Sequence, residues 1–346
     1  MAGTRALRVA VVGAGAFGRN HLRVLRELQQ AGQAVELVAV VDRDSAAMAA
    51  ASEKFGVPGF ETIEACLAAV GGLDAASVCV PTVHHATAAA PLLAAGVDVL
   101  IEKPLAASLA DADLILELAR KHGRIVQVGH LERFNPAVTA AQQHLHKPMF
   151  FEAHRLSIFT PRSLDVDVVL DLMIHDLDIV LSLVASPVRE VRAVGLPVLS
   201  RKVDIANVRV EFENGCIANF TASRVSTERV RKLRFFQPHQ YLSLDFARQD
   251  LLMIDVTAAA GMDPAMLAAL AQQAGAHPSA GLSLKKVVVE LGEPLRLEIE
   301  SFLHVVGERS RPVVSGEDGR AALALALEIN AAIAVHAERA GLQDFM

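Results

Sequence analysis

Between residues 7 and 128, short apolar runs alternate with longer segments in which apolar positions recur every three or four residues. Short, fully apolar runs are typical of strands buried in a parallel sheet, and the periodic segments are typical of the helices that cover it. The predicted strands span 7–12, 36–41, 76–80, 99–101 and 125–128. The predicted helices lie near 17–31, 44–55, 61–70, 85–95 and 108–121. This alternation predicts an α/β domain with a doubly wound parallel sheet.

The pattern changes near residue 130. One helix is predicted near 134–145, and later runs alternate apolar with polar residues, as strands with one solvated face do. These runs span 150–158, 188–199, 205–212, 216–224, 229–236 and 241–246. Asn214 and Gly215 separate two of them, as in a tight hairpin turn, so the sheet is predicted to be mostly antiparallel. We therefore predict one domain over 1–130 and an α+β domain over 131–346.

Two further features belong to the second predicted domain. Residues 256–281 are rich in Ala, Gly and Gln, and they form either a helix-containing insertion or a loose loop. Helices are predicted near 294–307 and 317–340, and Ser315 is a candidate N-cap for the second of these.

Composition and charge limit the classes of partner that are expected. The chain has 346 residues, 52% hydrophobic and 21% charged, and its formal net charge is −6. This charge gives no general basic field, so neither nucleic acid nor a membrane is an expected partner. Cys66, Cys79 and Cys216 lack metal-site spacing, so no metal is expected and reduced thiols are predicted. A cytoplasmic location is predicted, since no targeting pattern and no 18-residue uncharged apolar stretch is found.

The segment "VVGAGAFG" follows the first predicted strand and precedes a helix. Gly13, Gly15 and Gly18 fit the pattern G-x-G-x-x-G, in which the first glycine permits a tight turn and the second lets the backbone approach a pyrophosphate. The third glycine lets helix and strand pack closely. The helix begins near Ala16 and Phe17 and offers free N–H groups to phosphates. This context predicts a dinucleotide-binding turn.

Asp42 ends the second predicted strand, near the spacing expected of an acid that binds the adenosine ribose. Its carboxylate would repel a 2′-phosphate, so NAD is the predicted cofactor. Arg43 follows directly and would suit a 2′-phosphate, which keeps NADP as the less favoured alternative.

Lys103 stands just past the fourth predicted strand, in "DVLIEKPLA". Ligands of such sheets bind beyond the carboxyl ends of the strands, so Lys103 is predicted to point at the cofactor crevice. Pro104 fixes the backbone that follows it. Glu102 either orients the lysine or hydrogen-bonds the ribose of the cofactor. The alternative for Lys103 is a surface side chain that extends from a strand end.

The segment "DLMIHDLDIVLSLV" is mostly apolar, which is typical of a buried helix. Its polar residues Asp171, His175, Asp178 and Ser182 recur with helical spacing and form one narrow stripe. The stripe faces either water or a site. A histidine one turn from an aspartate is what a tuned general base needs, so Asp171 and His175 are candidate catalytic residues.

Cations and amides near the predicted crevice are candidates for substrate binding. Arg133 and Asn135 would hydrogen-bond an oxygen-rich ligand, although Asn135 is also suited to capping a helix. Arg229 and Arg231 share one strand face within a basic run, which either guards a sheet edge or binds a diphosphate. The predicted substrate-binding residues are His130, Arg133, Asn135, Arg155, Arg162, Arg229 and Arg231.

Together these motifs resemble the Gfo/Idh/MocA family of sugar and cyclitol oxidoreductases. The matching pieces run along the whole chain and are "GAGAFG", "VVDRD", "PTVHH", "EKPLA", "DLMIH" and "SGEDGRAALALA". The resemblance implies a Rossmann domain, a second domain built on a large open sheet, and NAD(P)-linked oxidation of a ring hydroxyl. Two departures concern the substrate half: the Gly-Gly that often precedes Asp-x-x-x-His is absent, and 256–281 has no counterpart.

The resemblance also implies roles for individual residues. Lys103 and the Asp171–His175 pair match the catalytic lysine, acid and base of the family. Thr82 and His84, with Pro81 beside them, match the loop next to the nicotinamide. A cis Lys103–Pro104 peptide is expected, because the family often has an unusual proline there.

Within the family, "GHLERFNPAV" and "LDLMIHDLDIVLSLV" are similar to bacterial enzymes that oxidise UDP-N-acetylglucosamine at C3. The expected function is NAD-dependent oxidation of a nucleotide sugar by a homodimer or homotetramer that assembles through the C-terminal sheet. A dehydrogenase of free sugars or inositol is the alternative among enzymes. A catalytically inactive NAD(P)-binding regulator is the alternative from another class, and the retained lysine, aspartate and histidine argue against it.

Overall fold

The structure is a computed structural model that describes residues 5–159, 166–256, 263, 265–266 and 283–345. Packing divides the chain into two compact units. The first unit is Met1–Phe134 with Glu293–Ala324, and the second is Asn135–Gly292 with Leu325–Met346. This division differs from the predicted domains, 1–130 and 131–346, in grouping 293–324 with the first unit. The ranges 1–130 and 131–346 therefore stay a prediction of the domain boundaries.

The first unit is built on a six-stranded parallel sheet, in the order β3-β2-β1-β4-β5-β6. Its strands are β1 (Leu7–Val12), β2 (Val35–Val41), β3 (Gly59–Phe60), β4 (Ala75–Val78), β5 (Asp98–Glu102) and β6 (Val126–Gly129). The strand order reverses between β1 and β4, which is where doubly wound sheets bind ligands at their carboxyl edge. The predicted parallel fold is confirmed. Only β3 lacked a prediction, because two residues carry no hydrophobic period.

Seven α-helices among the described residues contribute to this unit, and the ends of several follow ordinary capping rules. Its helices are α1 (Ala16–Gln30), α2 (Ser45–Phe55), α3 (Ile63–Val70), α4 (His85–Ala94), α5 (Leu109–His122), α8 (Pro294–Glu308) and the first part of α9 (Gly316–Ala340). The side chains of Asp44, Thr62 and Ser108 accept hydrogen bonds from the first turns of α2, α3 and α5. Ser315 Oγ accepts from the N–H of Asp318, so the predicted N-cap of α9 is confirmed.

Helix α8 packs into the core of the first unit. Its buried residues Ile299, Phe302 and Val306 share one hydrophobic cluster with Leu22 and Leu25 of α1. The period of α8 predicted a helix with one apolar face, but a period cannot say which sheet that face covers. This is the physical reason why residues 293–324 group with the N-terminal sheet.

The second unit is built on an eight-stranded sheet, in the order β14-β13-β12-β11-β7-β10-β9-β8. Its strands are β7 (Phe150–Ile158), β8 (Val188–Leu196), β9 (Ile205–Phe212), β10 (Ile217–Ser226), β11 (Val230–Gln237), β12 (Gln240–Asp245), β13 (Asp250–Asp255) and β14 (Ser283–Val287). Strands β7 and β10 run parallel, and the other described neighbours are antiparallel. The predicted large, mostly antiparallel sheet is therefore confirmed.

Alternation of side chains gives this sheet one buried face. Phe151 on β7 and Phe235 on β11 oppose each other there, with ring centroids 5.5 Å apart. Helix α6 (Pro136–Gln142), a π-helix (Val169–Met173) and α7 (Ile174–Val184) belong to this unit. The predicted hairpin turn joins β9 to β10, with Gly215 at φ +83°. The predicted insertion over 256–281 lies almost entirely outside the described residues.

Helix α9 is the one described helix that is long and apolar enough to cross a membrane, judged by length and composition alone. Such a helix is weak evidence for a membrane span, because core helices have the same composition. The side chains of Leu323, Ile329 and Ile333 are buried, as in an amphipathic helix packed against a protein core.

Candidate active site

The glycine-rich turn between β1 and α1 has the geometry that its sequence predicts. Gly13 has φ +103°, and a Cβ there would lie 2.6 Å from the carbonyl oxygen of Cys79. A Cβ at Gly18 would overlap the carbonyl oxygen of Gly13. Any larger residue at either position would therefore push α1 away from the carboxyl ends of β1 and β4.

The start of α1 faces open space. A Cβ at Gly15 would meet nothing within 4 Å, and Ala16 and Phe17 are exposed. Gly15 is the N-cap and has no side chain, so the first helical N–H groups are not capped by it. Uncapped N–H groups at a helix start, with room above them, are suited to an anionic group such as a pyrophosphate.

Asp42, at the end of β2, is tied to the glycine turn. Its Oδ2 accepts a hydrogen bond of 2.6 Å from the N–H of Ala14, and its Oδ1 accepts one of 2.9 Å from the N–H of Asp44. The carboxylate is only partly buried. It is therefore held in one position while keeping accessible surface, as a ribose-binding acid requires.

A cavity of about 770 Å³ lies along this edge of the sheet. Six of the predicted cofactor residues line it: Gly13, Gly15, Asp42, Arg43, Pro81 and His84. Ala16, Phe17, Gly18, Thr82, Glu102 and Lys103 belong to the same loops and strand ends but do not line it. The cavity, the helix start and the aspartate fit the adenosine and pyrophosphate parts of a dinucleotide.

Sequence reasoning missed several residues of this cavity. Glu61, Thr62 and Glu64 follow the two-residue strand β3, and Thr87 lies in the first turn of α4. Glu61 also accepts a hydrogen bond of 2.8 Å from Ser45 Oγ. The available signal was that loops after successive parallel strands converge on one edge, but β3 was not predicted, so its loop was not considered.

Lys103 follows β5 directly, and its side chain is partly exposed. The Lys103–Pro104 peptide bond is cis, which confirms the expectation. The Glu102 side chain is buried, and its Oε1 accepts a hydrogen bond of 2.9 Å from Nε2 of His21 on α1. Its Oε2 lies 3.3 Å from the N–H of Lys103 and accepts from it. These contacts favour an orienting role for Glu102, and both predicted roles stay predictions.

His21, Glu102 and Glu298 form a buried cluster at this strand end. Their possible ligand atoms lie within 4.8 Å of one another, close enough to surround a metal ion. Oε1 of Glu102 already accepts the hydrogen bond from His21. A Cβ at Gly129 would lie 2.9 Å from the same carboxylate, so β6 also confines it. We interpret the cluster as the support of the Lys103 segment.

In the second unit, Asp171 lies in the π-helix and His175 lies in the first turn of α7. Both side chains are partly exposed. π-Helical turns occur frequently at functional sites, because the extra residue redirects side chains. The predicted polar stripe is wrong at Asp178, which is buried, whereas Ser182 is partly exposed. Three of its four members therefore keep accessible surface.

Three of the predicted substrate ligands are buried, and two of them make hydrogen bonds within the second unit. Arg155 on β7 donates two hydrogen bonds, of 2.9 and 2.8 Å, to the buried carboxylate of Asp176. Asn135 caps α6 and donates from Nδ2 to the carbonyl oxygen of Phe246. His130 has no exposed surface. These side chains offer little or no accessible surface, and their contact with substrate stays a prediction.

The remaining cations differ in exposure. Arg229 and Arg231 are exposed, and Arg133 is partly exposed and donates to the carbonyl oxygen of Val313. Arg231 on β11 opposes Arg155 on β7, so the two arginines project from the same face of the sheet. Arg162 lies outside the described residues. Arg231 is thus an exposed cation on the face that carries the buried core.

Comparison with known proteins identifies the family. A model described as "Oxidoreductase family, NAD-binding Rossmann fold" matches residues 7–130, and a Gfo/Idh/MocA C-terminal-domain model matches residues 137–237. The chain belongs to the Gfo/Idh/MocA family of oxidoreductases. It is therefore an enzyme of the oxidoreductase class, as the resemblance implied.

Individual members of the family differ in how much of this chain they match. A UDP-N-acetylglucosamine 3-dehydrogenase of Acidithiobacillus ferrooxidans is 33% identical over 335 residues, which cover 96% of this chain and 99% of that enzyme. A solved structure of that enzyme has a TM-score of 0.84 at 32% identity, over 95% of this chain and 97% of the other. An inositol 2-dehydrogenase of Acidothermus cellulolyticus is 30% identical, over 56% of this chain and 58% of that enzyme.

Burial of His130 predicts a specific dependence of stability on pH. Burial, with Lys103 and Arg133 as smaller causes, lowers the pKa of His130 to about 3. The unfolded chain then binds this proton near pH 6.5 and the folded chain does not, so stability falls as pH decreases from about 6.5 towards 3. The contribution of this residue to the slope is at most about 1.4 kcal/mol per pH unit.

Replacement by a group that does not titrate tests this. In His130→Asn, the decline in unfolding free energy between pH 6.5 and 4.5 should be shallower, as measured by urea unfolding at each pH. His304→Asn, which changes an exposed histidine of the same unit, is the control and should leave the slope nearly unchanged. An unchanged slope in His130→Asn would contradict the assignment of a buried, neutral imidazole.

Proposed function

We propose that this chain oxidises the C3 hydroxyl of UDP-N-acetylglucosamine, with NAD as the hydride acceptor. The observation that carries the proposal is similarity to the Acidithiobacillus ferrooxidans enzyme over nearly the full length of both chains. A match of this extent includes both the cofactor half and the substrate half. The cavity beside the glycine turn supports the cofactor, and accessible groups of the second unit support the substrate.

The residues proposed to hold NAD lie along the carboxyl edge of the parallel sheet. The start of α1 would bind the pyrophosphate through its N–H groups, and Asp42 would accept hydrogen bonds from the adenosine ribose. The carboxylates of Asp44, Glu61 and Glu64 line the same cavity, with Arg43 as the opposing cation. This excess of negative charge supports NAD over NADP, because a 2′-phosphate would be repelled.

Bound NAD supplies the acceptor for the hydride that leaves the sugar carbon. We assign to His175 the removal of the hydroxyl proton, with Asp171 orienting the imidazole or tuning its basicity. We assign to Lys103 a hydrogen bond from its ammonium group to the same oxygen, which stabilises the negative charge that develops there. General-base catalysis of this kind typically contributes about 10²–10⁴ in rate.

The substrate's diphosphate requires cations that a free polyol would not need. Among the residues that the structure describes, Arg231 is the strongest candidate. It is exposed and projects from the same sheet face as the buried Arg155–Asp176 pair. Arg229 and Arg133 are further candidates. Arg162 stays a candidate on the sequence alone, because it lies outside the described residues. A second function, inositol oxidation, is favoured only by partial matches such as the Acidothermus cellulolyticus enzyme.

Assembly and location remain proposals as well. We propose a cytoplasmic homodimer or homotetramer that associates through the eight-stranded sheet. Exposed apolar side chains on and after the edge strand β8, Leu196 and Val198 among them, support association at that sheet.

The cofactor assignment predicts tighter binding of NAD than of NADP. The ratio of dissociation constants should favour NAD by about tenfold or more, and Asp42→Asn should reduce it, since this change removes the charge nearest the ribose. Isothermal titration calorimetry with each cofactor, for the wild type and for Asp42→Asn, gives the four constants. Glu64→Gln removes a carboxylate from the same cavity and should have a smaller effect. Tighter binding of NADP by the wild type would overturn the assignment and favour Arg43 as the determinant.

The substrate assignment predicts the highest kcat/KM for UDP-N-acetylglucosamine, compared with myo-inositol and free N-acetylglucosamine under the same conditions. Arg231→Gln should raise KM for the nucleotide sugar roughly tenfold or more, with little change in kcat, because the lost contact binds ground state and transition state alike. NADH formation followed by absorbance measures both constants.

Lys232→Gln is the matched control, because Lys232 is adjacent in sequence and projects from the opposite face of β11. It should leave KM nearly unchanged. If a free polyol has the highest kcat/KM, or if UDP does not compete with the substrate, the nucleotide-sugar proposal is wrong and the dehydrogenase assignment remains.

A further inference from the structure

His85 is a buried histidine that neither the cofactor nor the catalytic assignments use. It is the first residue of α4 and follows a short 3-10 turn, Thr82–His84, of the cofactor loop. Its side chain is 1% exposed, so it cannot contact a ligand directly. Any effect on the reaction must therefore act through the groups that its ring touches.

The ring of His85 contacts two different strand-end segments. Its Nδ1 lies 3.0 Å from the carbonyl oxygen of Pro104 and 3.3 Å from that of Leu105. Its Nε2 lies 3.0 Å from the carbonyl oxygen of Val80. Val80 lines the cofactor cavity, whereas Pro104 and Leu105 directly follow Lys103. The imidazole therefore bridges the cavity wall and the lysine segment.

Both ring nitrogens face carbonyl oxygens, which can only accept hydrogen bonds. A neutral imidazole carries one N–H and bonds one of the two segments, whereas an imidazolium bonds both. Burial lowers the pKa of His85, and the three carbonyl contacts and the Glu102 carboxylate act in the opposite direction. In either protonation state the ring donates at least one hydrogen bond to a segment that borders the proposed site.

We propose that His85 is a positioning residue that fixes the Lys103 segment against the wall of the cofactor cavity. The inference rests on the proposed catalytic role of Lys103. Pro104 has no N–H of its own, so the carbonyl oxygens of residues 104 and 105 are the polar groups through which His85 contacts this segment. A shift of about 1 Å in a catalytic group lowers turnover by about 10².

The test compares two replacements of His85. His85→Phe keeps a planar ring of similar size and removes both nitrogens, and His85→Gln keeps an amide that donates hydrogen bonds. Turnover of UDP-N-acetylglucosamine should fall roughly tenfold or more in His85→Phe, and His85→Gln should recover part of the loss. The dissociation constant of NAD should change by less than about threefold, since the cavity-lining groups themselves are retained. His304→Phe, an exposed position in the same unit, is the control for the substitution.

A double-mutant cycle with Lys103→Ala separates this inference from the proposed function. If His85 acts through Lys103, adding His85→Phe to Lys103→Ala should lower turnover by less than about twofold further. Fully additive losses would overturn the positioning role while leaving the catalytic role of Lys103 in place. Near-normal turnover of Lys103→Ala alone would instead overturn the proposed function.

Amide hydrogen exchange provides a readout that does not require a substrate. Exchange at Lys103 and Leu105 should be at least about tenfold faster in His85→Phe than in the wild type, with smaller changes in His85→Gln and none in His304→Phe. Unchanged exchange in a folded His85→Phe variant would overturn the inference. If His85→Phe does not fold, His85→Ala replaces it in both measurements, and unchanged exchange with unchanged turnover in that variant would overturn the inference.

Discussion

The candidate site depends on the close approach of α1 to the carboxyl ends of β1 and β4. Gly18 leaves no space for a Cβ against the carbonyl of Gly13, and Gly13 leaves none against the carbonyl of Cys79. This packing brings the start of α1 to the point where the strand order reverses. The hydrogen bond from the N–H of Ala14 to Asp42 then fixes the neighbouring strand end against the same turn. One steric constraint therefore sets both parts of the proposed dinucleotide site.

The lysine segment is attached to this turn by buried polar contacts. His21 projects from α1 and donates to Glu102, so the helix that begins at the glycine turn also holds the end of β5. The backbone N–H of Lys103 donates to the same carboxylate. Buried hydrogen bonds of this kind restrict how the elements that carry them can be arranged. The proposed phosphate-binding turn and the proposed catalytic lysine are thus positioned by the same helix.

The sequence predicted the parallel sheet, the mostly antiparallel sheet and the glycine turn, because each depends on a local period or a local steric requirement. It could not assign α8 to the first unit, since an apolar helix face does not indicate which sheet or helix it packs against. It also could not separate accessible cations from buried ones: Arg155 and Arg231 oppose each other on one sheet face, yet only Arg231 is exposed. Asp176, the partner of Arg155, sits beside His175 in the sequence and was not predicted to be functional or structural.

We propose that Lys103 acts on the reacting oxygen and does not hold the cofactor. The most direct test is to measure turnover of UDP-N-acetylglucosamine and the dissociation constant of NAD in the same Lys103→Ala preparation. We expect kcat to fall by at least about 10², the cost of a lost donor to a developing oxyanion, while the dissociation constant changes by less than about threefold. Near-normal kcat, or a loss of activity explained entirely by weaker NAD binding, would contradict it.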